Sequence, residues 1–273
     1  MNRAQRAELR RAADTGRAVS PGTARAVLAA GPGAWPEIMA AAGALRWRFF
    51  GNRVQLCSIL NARSGACGED CAFCAQSARH RTGVPVFGLR SPGAMRAAYR
   101  AAARRPIRHF GIVTSGRTLG ARDVDAVCRA VAGLATPQVA WCASLGGLSP
   151  GELRKLRAAG VRRYHHNLET APSFFANICS THTFADRLRT VRAARAAGLE
   201  TCSGGIFGMG ESPEQRVELA LVLAREGVDS IPLNFLMPRP GTPLGGVSPM
   251  TPLEILRCIA MVRLLNPRAE IKV

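Results

Sequence analysis

Three cysteines that lie close together are the residues of this chain best suited to chemistry. They belong to the stretch Cys67-Gly-Glu-Asp-Cys71-Ala-Phe-Cys74, whose C-x3-C-x2-C spacing lets three sulfurs point at one centre. Three protein ligands can neither complete a tetrahedral zinc site nor hold every iron of a [4Fe–4S] cluster. One iron of such a cluster would therefore stay open to bind a further molecule, which is what a reactive iron–sulfur site requires.

A zinc knuckle or a chance clustering is the alternative interpretation of these three cysteines. Zinc would need a fourth Cys or His nearby, commonly in a second C-x2-C or H-x3-H pair, and none follows. His80 is the nearest candidate, and it lies in a basic stretch. With the aromatic Phe73 before its last cysteine, the loop resembles that of radical S-adenosylmethionine enzymes. That resemblance implies that S-adenosylmethionine binds the open iron and is cleaved there to a 5′-deoxyadenosyl radical.

Strands and helices that must position this loop alternate along the chain from residue 54 onward. Alternation of this kind predicts parallel strands with right-handed crossovers, hence an α/β fold. No dinucleotide-binding glycine motif occurs early in the chain, so a TIM-type barrel is favoured over a doubly wound sheet. The predicted strands are residues 54–60, 107–113, 138–144, 162–168, 200–206, 229–235 and 269–273.

Seven predicted strands leave the barrel one βα unit short of a closed eight. Residues 1–50 are expected to form an N-terminal helical extension, and residues 51–273 the barrel domain. Functional groups of such barrels lie at the C-terminal ends of the strands. The polar groups predicted at this rim are Cys67 to Cys74, Thr114-Ser115, Ser144, Asn167 to Glu169, Gly204-Gly205 and Asn234.

Composition and charge narrow the possible classes of function. The formal net charge is +19, nearly all of it arginine spread along the chain among alanines. No nucleic-acid-binding motif and no aromatic cluster for base stacking accompanies this charge, so no specific nucleic-acid partner is expected. The N-terminus does not resemble a secretory signal, and no apolar run reaches the ~18 residues of a membrane span. A cytoplasmic protein with no membrane partner is expected, and its nine cysteines are expected to be thiols or ligands.

Four stretches of the chain resemble the biotin synthase family. They occur in the family's order, and the resemblance runs from about residue 35 to the end. It implies a TIM-type barrel, usually homodimeric, that inserts sulfur into dethiobiotin to form biotin. It also implies a [4Fe–4S] cluster on the three loop cysteines, S-adenosylmethionine, and an electron donor of flavodoxin or ferredoxin type. The four stretches are Cys57 to Ser77, Tyr164 to Thr170, Cys202 to Glu211 and Asn234 to Pro243.

The resemblance further implies an auxiliary iron–sulfur cluster inside the barrel that serves as the sulfur donor. In the family it is commonly a [2Fe–2S] cluster held by three cysteines and an arginine. Cys142 and Cys202 match two of those cysteines, whereas Gly111 and Lys272 stand where the family has the third cysteine and the arginine. Lysine binds metal only when deprotonated and does not reproduce a guanidinium.

We therefore predict a variant of this auxiliary cluster. Cys142, Cys179 and Cys202 are the expected ligands, and Cys57 and Lys272 are further candidates. Cys57 lies on the first strand, where it faces either the barrel interior or the helices. The alternative is that Cys57 and Cys179 are buried thiols that bind no metal.

Residues for the cofactor and the substrate follow from the same resemblance. Asn167 and Glu169 match family positions that contact the substrate and the ribose of S-adenosylmethionine. Arg187 matches an arginine that pairs with the cofactor's carboxylate, for which a guanidinium is well suited. Gly204 and Gly205 are expected to let the backbone approach the adenine, and Asn234 to contact the substrate. A capped strand end is the alternative for Asn167 and Glu169.

Two other functions stay open at this point. One is a related radical S-adenosylmethionine enzyme with another substrate, such as a mutase or a cluster-maturation enzyme. Cys142 and Cys202 argue against a mutase, because a mutase needs no second cluster. The other is a truncated, non-catalytic remnant, since the sequence ends at Val273 within the seventh predicted strand, where family members continue.

Overall fold

Strands and helices alternate as predicted in the computed structural model, which describes residues 1–134 and 136–273. The helices are α1 (Arg3–Thr15), α2 (Pro21–Leu28), α3 (Trp35–Phe50), α4 (Pro92–Ala102), α5 (Ala121–Val131), α6 (Pro150–Ala159), α7 (Phe184–Ala196), α8 (Pro213–Glu226) and α9 (Pro252–Leu265). The strands are β1 (Leu56–Arg63), β2 (Ile107–Thr114), β3 (Ala140–Ser144), β4 (Val161–His165), β5 (Glu200–Cys202), β6 (Gly205–Phe207), β7 (Ser230–Phe235) and β8 (Glu270–Lys272).

All strand pairings are parallel and form a curled, incomplete barrel. The order is β1-β2-β3-β4-β5-β7, and β6 and β8 also pair with β7. Cys202 of β5 lies opposite Ser230, and Gly205 of β6 lies opposite Leu233, so both pair with β7 at the same offset. The predicted strand 200–206 is therefore one barrel position whose ladder is interrupted at Ser203 and Gly204. The prediction of a seven-position TIM-type barrel is confirmed.

The barrel remains open between its first and last strands. Within residues 1–134 and 136–273, no backbone pairing joins β1 to β8. A cavity of about 750 Å³ lies along this seam, between α3, α9 and the two strand edges. The exposed side chains of Val54 and Leu56 line this seam at the start of β1.

Helix starts are set by capping residues that the sequence shows directly. The side chains of Ser149, Ser212 and Thr251 each accept a hydrogen bond from the backbone N–H three residues later, at the starts of α6, α8 and α9. Each also has proline in the first turn and a reciprocal Glu or Gln contact, which together favour a helix start. In the part of the chain that the structure describes, no helix is both long and apolar enough to cross a membrane.

The core lies mainly between the strands and the surrounding helices. Tyr99 stacks on Trp141 with ring centroids 4.1 Å apart, and Phe110 meets both rings edge-on. The N-terminal helices add Leu9 and Ile38 to a second core group that continues into α8 and α9. The helical extension is therefore anchored on the outside of the barrel by apolar packing.

Candidate functional site

The three loop cysteines line one cavity at the C-terminal end of the strands. This cavity, called here the mouth cavity, has a volume of about 400 Å³, and Cys67, Cys71 and Cys74 all face it. Backbone bonds shape the loop: the Cys67 N–H donates to the Gln76 carbonyl at 3.0 Å, and the Ala78 N–H donates to the Cys67 carbonyl at 2.7 Å. These backbone hydrogen bonds therefore fix the conformation of the cysteine loop.

The chemistry of this donor set fits an iron–sulfur cluster. Burial raises the pKa values of the Cys71 and Cys74 thiols. Thiolates are the species that bind metal, so cluster binding must displace those protons. Three sulfurs facing one side of a cavity leave a fourth corner directed into it. The arrangement fits a [4Fe–4S] cluster whose open iron faces the mouth cavity.

Asn167, Glu169 and Arg187 form the opposite wall of the mouth cavity. Arg187 lies 3.2 Å from the Glu169 carboxylate and donates a 2.9 Å hydrogen bond to the Asn167 carbonyl. The Asn167 side-chain oxygen accepts a 3.1 Å bond from the Gly204 N–H. Burial raises the pKa of Glu169, and the Arg187 guanidinium opposes that shift. The side chains of Asn167 and Glu169 therefore offer hydrogen-bond acceptors next to the Arg187 guanidinium, at a site almost closed to water.

Close packing explains the two glycines at positions 204 and 205. A Cβ on Gly204 would lie 1.9 Å from the Pro232 carbonyl oxygen, and one on Gly205 would lie 2.4 Å from the Glu169 carbonyl oxygen. Glu169 itself has a left-handed backbone, with φ 69°. Both glycines are needed by the fold, and their contact with adenine stays a prediction. Asn234 is exposed on β7 and does not line the mouth cavity.

A second group of cysteines faces the barrel interior below the mouth cavity. A Cβ on Gly111 would lie 3.9 Å from the Cys142 Cβ and 3.4 Å from an Ile59 methyl, which shows that these positions point inward. Cys57 precedes Ile59 by two residues on β1, so strand alternation directs it inward as well. Cys202 and Cys57 both lie close enough to Cys142 to help raise the pKa of its thiol. The orientation that the sequence left open for Cys57 is therefore the interior one.

Basic side chains surround the interior cysteines. Burial raises the pKa of Cys142 to about 12, and Arg163 and Lys272 act in the opposite direction. Burial also raises the pKa of Cys202. Arg163 is buried and bridges Glu200 at 2.9 Å and Glu270 at 2.7 Å.

His109 completes this interior group. Its Nδ1 lies 3.8 Å from the Cys57 sulfur. Burial lowers the pKa of His109 to about 4, so the ring is neutral at physiological pH. Sequence reasoning missed both Arg163 and His109. The alternation of inward and outward residues along β2 and β4 could have indicated both positions. Arg163 did not stand out, because arginines are common throughout this chain.

Cys179 does not join the interior group, contrary to the predicted set of Cys142, Cys179 and Cys202. The loop after β4 carries it to the mouth, where its sulfur lies 3.8 Å from the Cys71 sulfur. Its other partners there are Asp70 at 3.2 Å and His182 at 3.2 Å. The structure brings Cys57 into the interior group and places Cys179 beside the first cysteine loop.

Acidification is expected to destabilise the chain partly through His165. Burial lowers the folded-state pKa of His165 to about 4, whereas an unfolded histidine titrates near ~6.5. Between these values the unfolded chain binds the extra proton, so stability present above ~6.5 is lost as the pH falls towards about 4. His165→Asn should reduce the slope of unfolding free energy against pH by about 1 kcal/mol per pH unit, measured by urea denaturation.

The control for this measurement is Ser144→Ala. It removes a hydroxyl 3.1 Å from His165 Nδ1 but leaves the titrating ring in place. Its slope should match that of the unaltered chain. An unchanged slope in His165→Asn would show that another group titrates in this pH range.

Comparison with known proteins agrees with the fold and with a family whose model spans the cysteine loop. A family model described as "Radical SAM superfamily" matches residues 62–223, and one described as "Biotin and Thiamin Synthesis associated domain" matches residues 232–273. The first match covers the cysteine loop and the wall opposite it. The chain thus has the fold and the cysteine loop of a radical S-adenosylmethionine enzyme.

Curated relatives identify the family within the class of radical S-adenosylmethionine enzymes. The chain is 51% identical to biotin synthase from Maridesulfovibrio salexigens over 273 residues, which cover 100% of this chain and 84% of the relative. It is 50% identical to biotin synthase from Desulforudis audaxviator, over 87% of this chain and 73% of the relative. The chain belongs to the biotin synthase family.

Solved structures support the fold at low sequence identity. Methylornithine synthase superposes with a TM-score of 0.84 at 20% identity, covering 96% of this chain and 78% of that one. The FeFe-hydrogenase maturase HydG from Carboxydothermus hydrogenoformans gives 0.80 at 15% identity, covering 98% and 65%. At these identities the likeness concerns the barrel alone.

Proposed function

We propose that this chain converts dethiobiotin to biotin by radical insertion of sulfur. The observation that carries the proposal is the presence of two cysteine groups in one barrel. The first, Cys67, Cys71 and Cys74, lies at the mouth, and the second, Cys142 and Cys202 with Cys57, lies in the interior. Radical generation itself requires only the first group. A second one deep in the barrel suits a sulfur source next to the substrate.

The bound groups supply the bond-breaking chemistry, and the chain supplies binding, orientation and exclusion of water. With S-adenosylmethionine bound, a four-iron cluster held by Cys67, Cys71 and Cys74 would supply hydrogen abstraction from unactivated carbon, and a cluster held by the interior cysteines would supply sulfur. Arg187 is oriented by Glu169 and the Asn167 carbonyl, so its guanidinium can turn to a carboxylate with little rearrangement. Asn167 and Glu169, which line the mouth cavity beside Arg187, offer hydrogen-bond acceptors for the hydroxyl groups of the cofactor's ribose.

Cys57, Cys142 and Cys202 are the ligands we propose for the auxiliary cluster. All three belong to strands and face the interior, where Lys272 and Arg163 add positive charge that favours thiolates. This set differs from the common family pattern at Gly111, where a Cβ would lie 3.9 Å from the Cys142 Cβ. Cys57 on the adjoining strand β1 compensates for the missing sulfur there. Whether the cluster has two irons or more is decided by iron and sulfide stoichiometry with Mössbauer spectra.

Partners are proposed on the same basis. We infer a flavodoxin- or ferredoxin-type electron donor, a homodimer and a cytoplasmic location. The surface next to the loop supports an acidic donor, since no carboxylate residue occurs from Cys71 to Arg122 while Arg79 and Arg81 are exposed. Positive surfaces of this kind speed the encounter with acidic proteins.

Arg187→Lys is expected to weaken S-adenosylmethionine binding by roughly 10- to 100-fold. Lysine keeps the charge but loses the bidentate geometry, and a hydrogen bond to a charged group contributes about 1.5–3 kcal/mol. Equilibrium dialysis against the cluster-loaded chain measures the dissociation constant. Arg189→Lys on the same helix is the matched control, because the Arg189 side chain is 72% exposed and pairs only at the surface. Equal affinities of the two variants would remove Arg187 from the cofactor site.

The proposed reaction is tested with chain reconstituted anaerobically with iron and sulfide. Incubation with dethiobiotin, S-adenosylmethionine and a reduced flavodoxin should yield biotin together with 5′-deoxyadenosine and methionine. Formation of 5′-deoxyadenosine without biotin would refute sulfur insertion into this substrate. It would favour another radical S-adenosylmethionine reaction instead.

A further inference from the structure

A group of metal-binding side chains that includes only one of the loop cysteines lies at the mouth. Cys71 comes from the loop after β1, and Cys179 and His182 come from the loop after β4. One ligand atom from each lies within 4.8 Å of the others. Both cysteines are buried, and the His182 side chain is only 7% exposed.

The spacing of these atoms matches tetrahedral metal coordination. With metal–sulfur bonds of about 2.3 Å, two thiolates on one zinc lie about 3.8 Å apart. The Cys71 and Cys179 sulfurs are 3.8 Å apart. A sulfur and an imidazole nitrogen on such a metal lie about 3.5 Å apart, and the Cys179 sulfur is 3.9 Å from Nε2 of His182.

His182 is oriented as a metal-binding histidine usually is. Its Nδ1 contacts the Glu69 carboxylate, and its Nε2 accepts a 3.0 Å hydrogen bond from Arg187. These contacts place the proton on Nδ1 and the free electron pair on Nε2. A carboxylate that holds the far nitrogen is the common support of a metal-bound imidazole. Arg187 can release Nε2 because it keeps its bonds to Glu169 and to the Asn167 carbonyl.

The two loops that supply the ligands are fastened together. The Ala72 N–H donates to the Ile178 carbonyl at 2.8 Å, and the Ser180 N–H donates to Asp70 at 3.0 Å. Thr181 contributes a further hydroxyl to Asp70 at 3.0 Å. The three ligands are therefore presented by a preformed frame, which limits the ordering needed on metal binding.

We propose that the chain, before its four-iron cluster is built, binds one zinc-type divalent cation at Cys71, Cys179 and His182. Binding releases the two thiol protons to solvent, and two thiolates with a neutral imidazole balance the charge of the ion. A water molecule takes the fourth position, as in three-ligand zinc sites. Because Cys71 serves both sites, the single ion and the four-iron cluster exclude each other.

Cobalt(II) titration of the metal-free, full-length chain under anaerobic conditions tests this site. One equivalent should bind and give ligand-field bands in the visible and a sulfur-to-cobalt charge-transfer band. Cys179→Ser and His182→Gln should each weaken binding by about 100-fold or more, and Glu69→Gln by about 10-fold. Cys67→Ser and Cys74→Ser should bind cobalt like the unaltered chain. Loss of binding in these two variants, with retention in Cys179→Ser, would place the ion on the C-x3-C-x2-C loop and overturn the proposal.

Zinc competition gives a second readout that does not depend on biotin formation. Preloaded zinc should slow uptake of four iron ions by the unaltered chain and have little effect on Cys179→Ser. Full iron uptake by Cys179→Ser also shows that this variant folds. Equal inhibition of both chains by zinc would contradict a site that requires Cys179. Since none of these measurements uses dethiobiotin, they fail or succeed independently of the proposed reaction.

Discussion

Cys71→Ser is expected to eliminate the four-iron cluster and all products that depend on it. A serine hydroxyl does not replace the thiolate, and two remaining sulfurs of one loop do not hold a four-iron cluster with an open corner. Iron bound at the loop, 5′-deoxyadenosine and biotin should all fall to background. Iron and sulfide analysis, electron paramagnetic resonance after reduction, and product chromatography measure the three quantities.

Cys128→Ser is the matched control for this variant. Cys128 is half-buried on α5, on the helical side of the barrel and outside both cysteine groups. Its replacement should leave iron content and both products unchanged. If Cys71→Ser kept a normal reduced-cluster signal, the loop cysteines would not be the ligands of the radical-generating cluster.

Cys142→Ser and Cys202→Ser are expected to separate the two halves of the reaction. Each should lose the auxiliary cluster, since a cysteine at the proposed site becomes a hydroxyl that binds iron poorly. The mouth group is untouched, so dethiobiotin-dependent 5′-deoxyadenosine formation should continue while biotin falls to background. Mössbauer spectra should show only the signal of the four-iron cluster.

Cys179→Ser discriminates between the two ligand sets. It should retain the auxiliary cluster, because Cys179 contacts Cys71 at the mouth and not the interior cysteines. Cys57→Ser should lose it. The opposite pattern, with loss in Cys179→Ser and retention in Cys57→Ser, would restore the set expected from sequence and overturn the set inferred from the strand register.

Local signals account for the parts of this molecule that could be predicted. Strand and helix alternation reflects apolar periodicity, and the starts of α6, α8 and α9 follow from Ser149, Ser212 and Thr251, whose caps act within a single turn. The cysteine loop could be recognised because all three ligands lie within eight consecutive residues.

Long-range contacts explain why the position of Cys179 at the mouth could not be predicted from the sequence. Its location depends on Asp70, which accepts hydrogen bonds from Ser180 and Thr181 more than a hundred residues later. No periodicity reports such a contact. The inward orientation of Cys57 likewise depends on register with β2, because a shift by one residue would turn it to the helices.

The left-handed backbone of Glu169 has a consequence for how this family can change during evolution. Its carbonyl oxygen accepts a 2.7 Å hydrogen bond from the Ile206 N–H, and any side chain on Gly205 would collide with it. A substitution at Gly205 therefore cannot be tolerated unless the segment at Glu169 moves first. That move would displace the Glu169 carboxylate from the wall of the mouth cavity. Substitutions at positions 169 and 205 are thus expected to occur together or not at all. A lineage that relaxed one of them would have to find another acceptor for the ribose that we propose Glu169 binds.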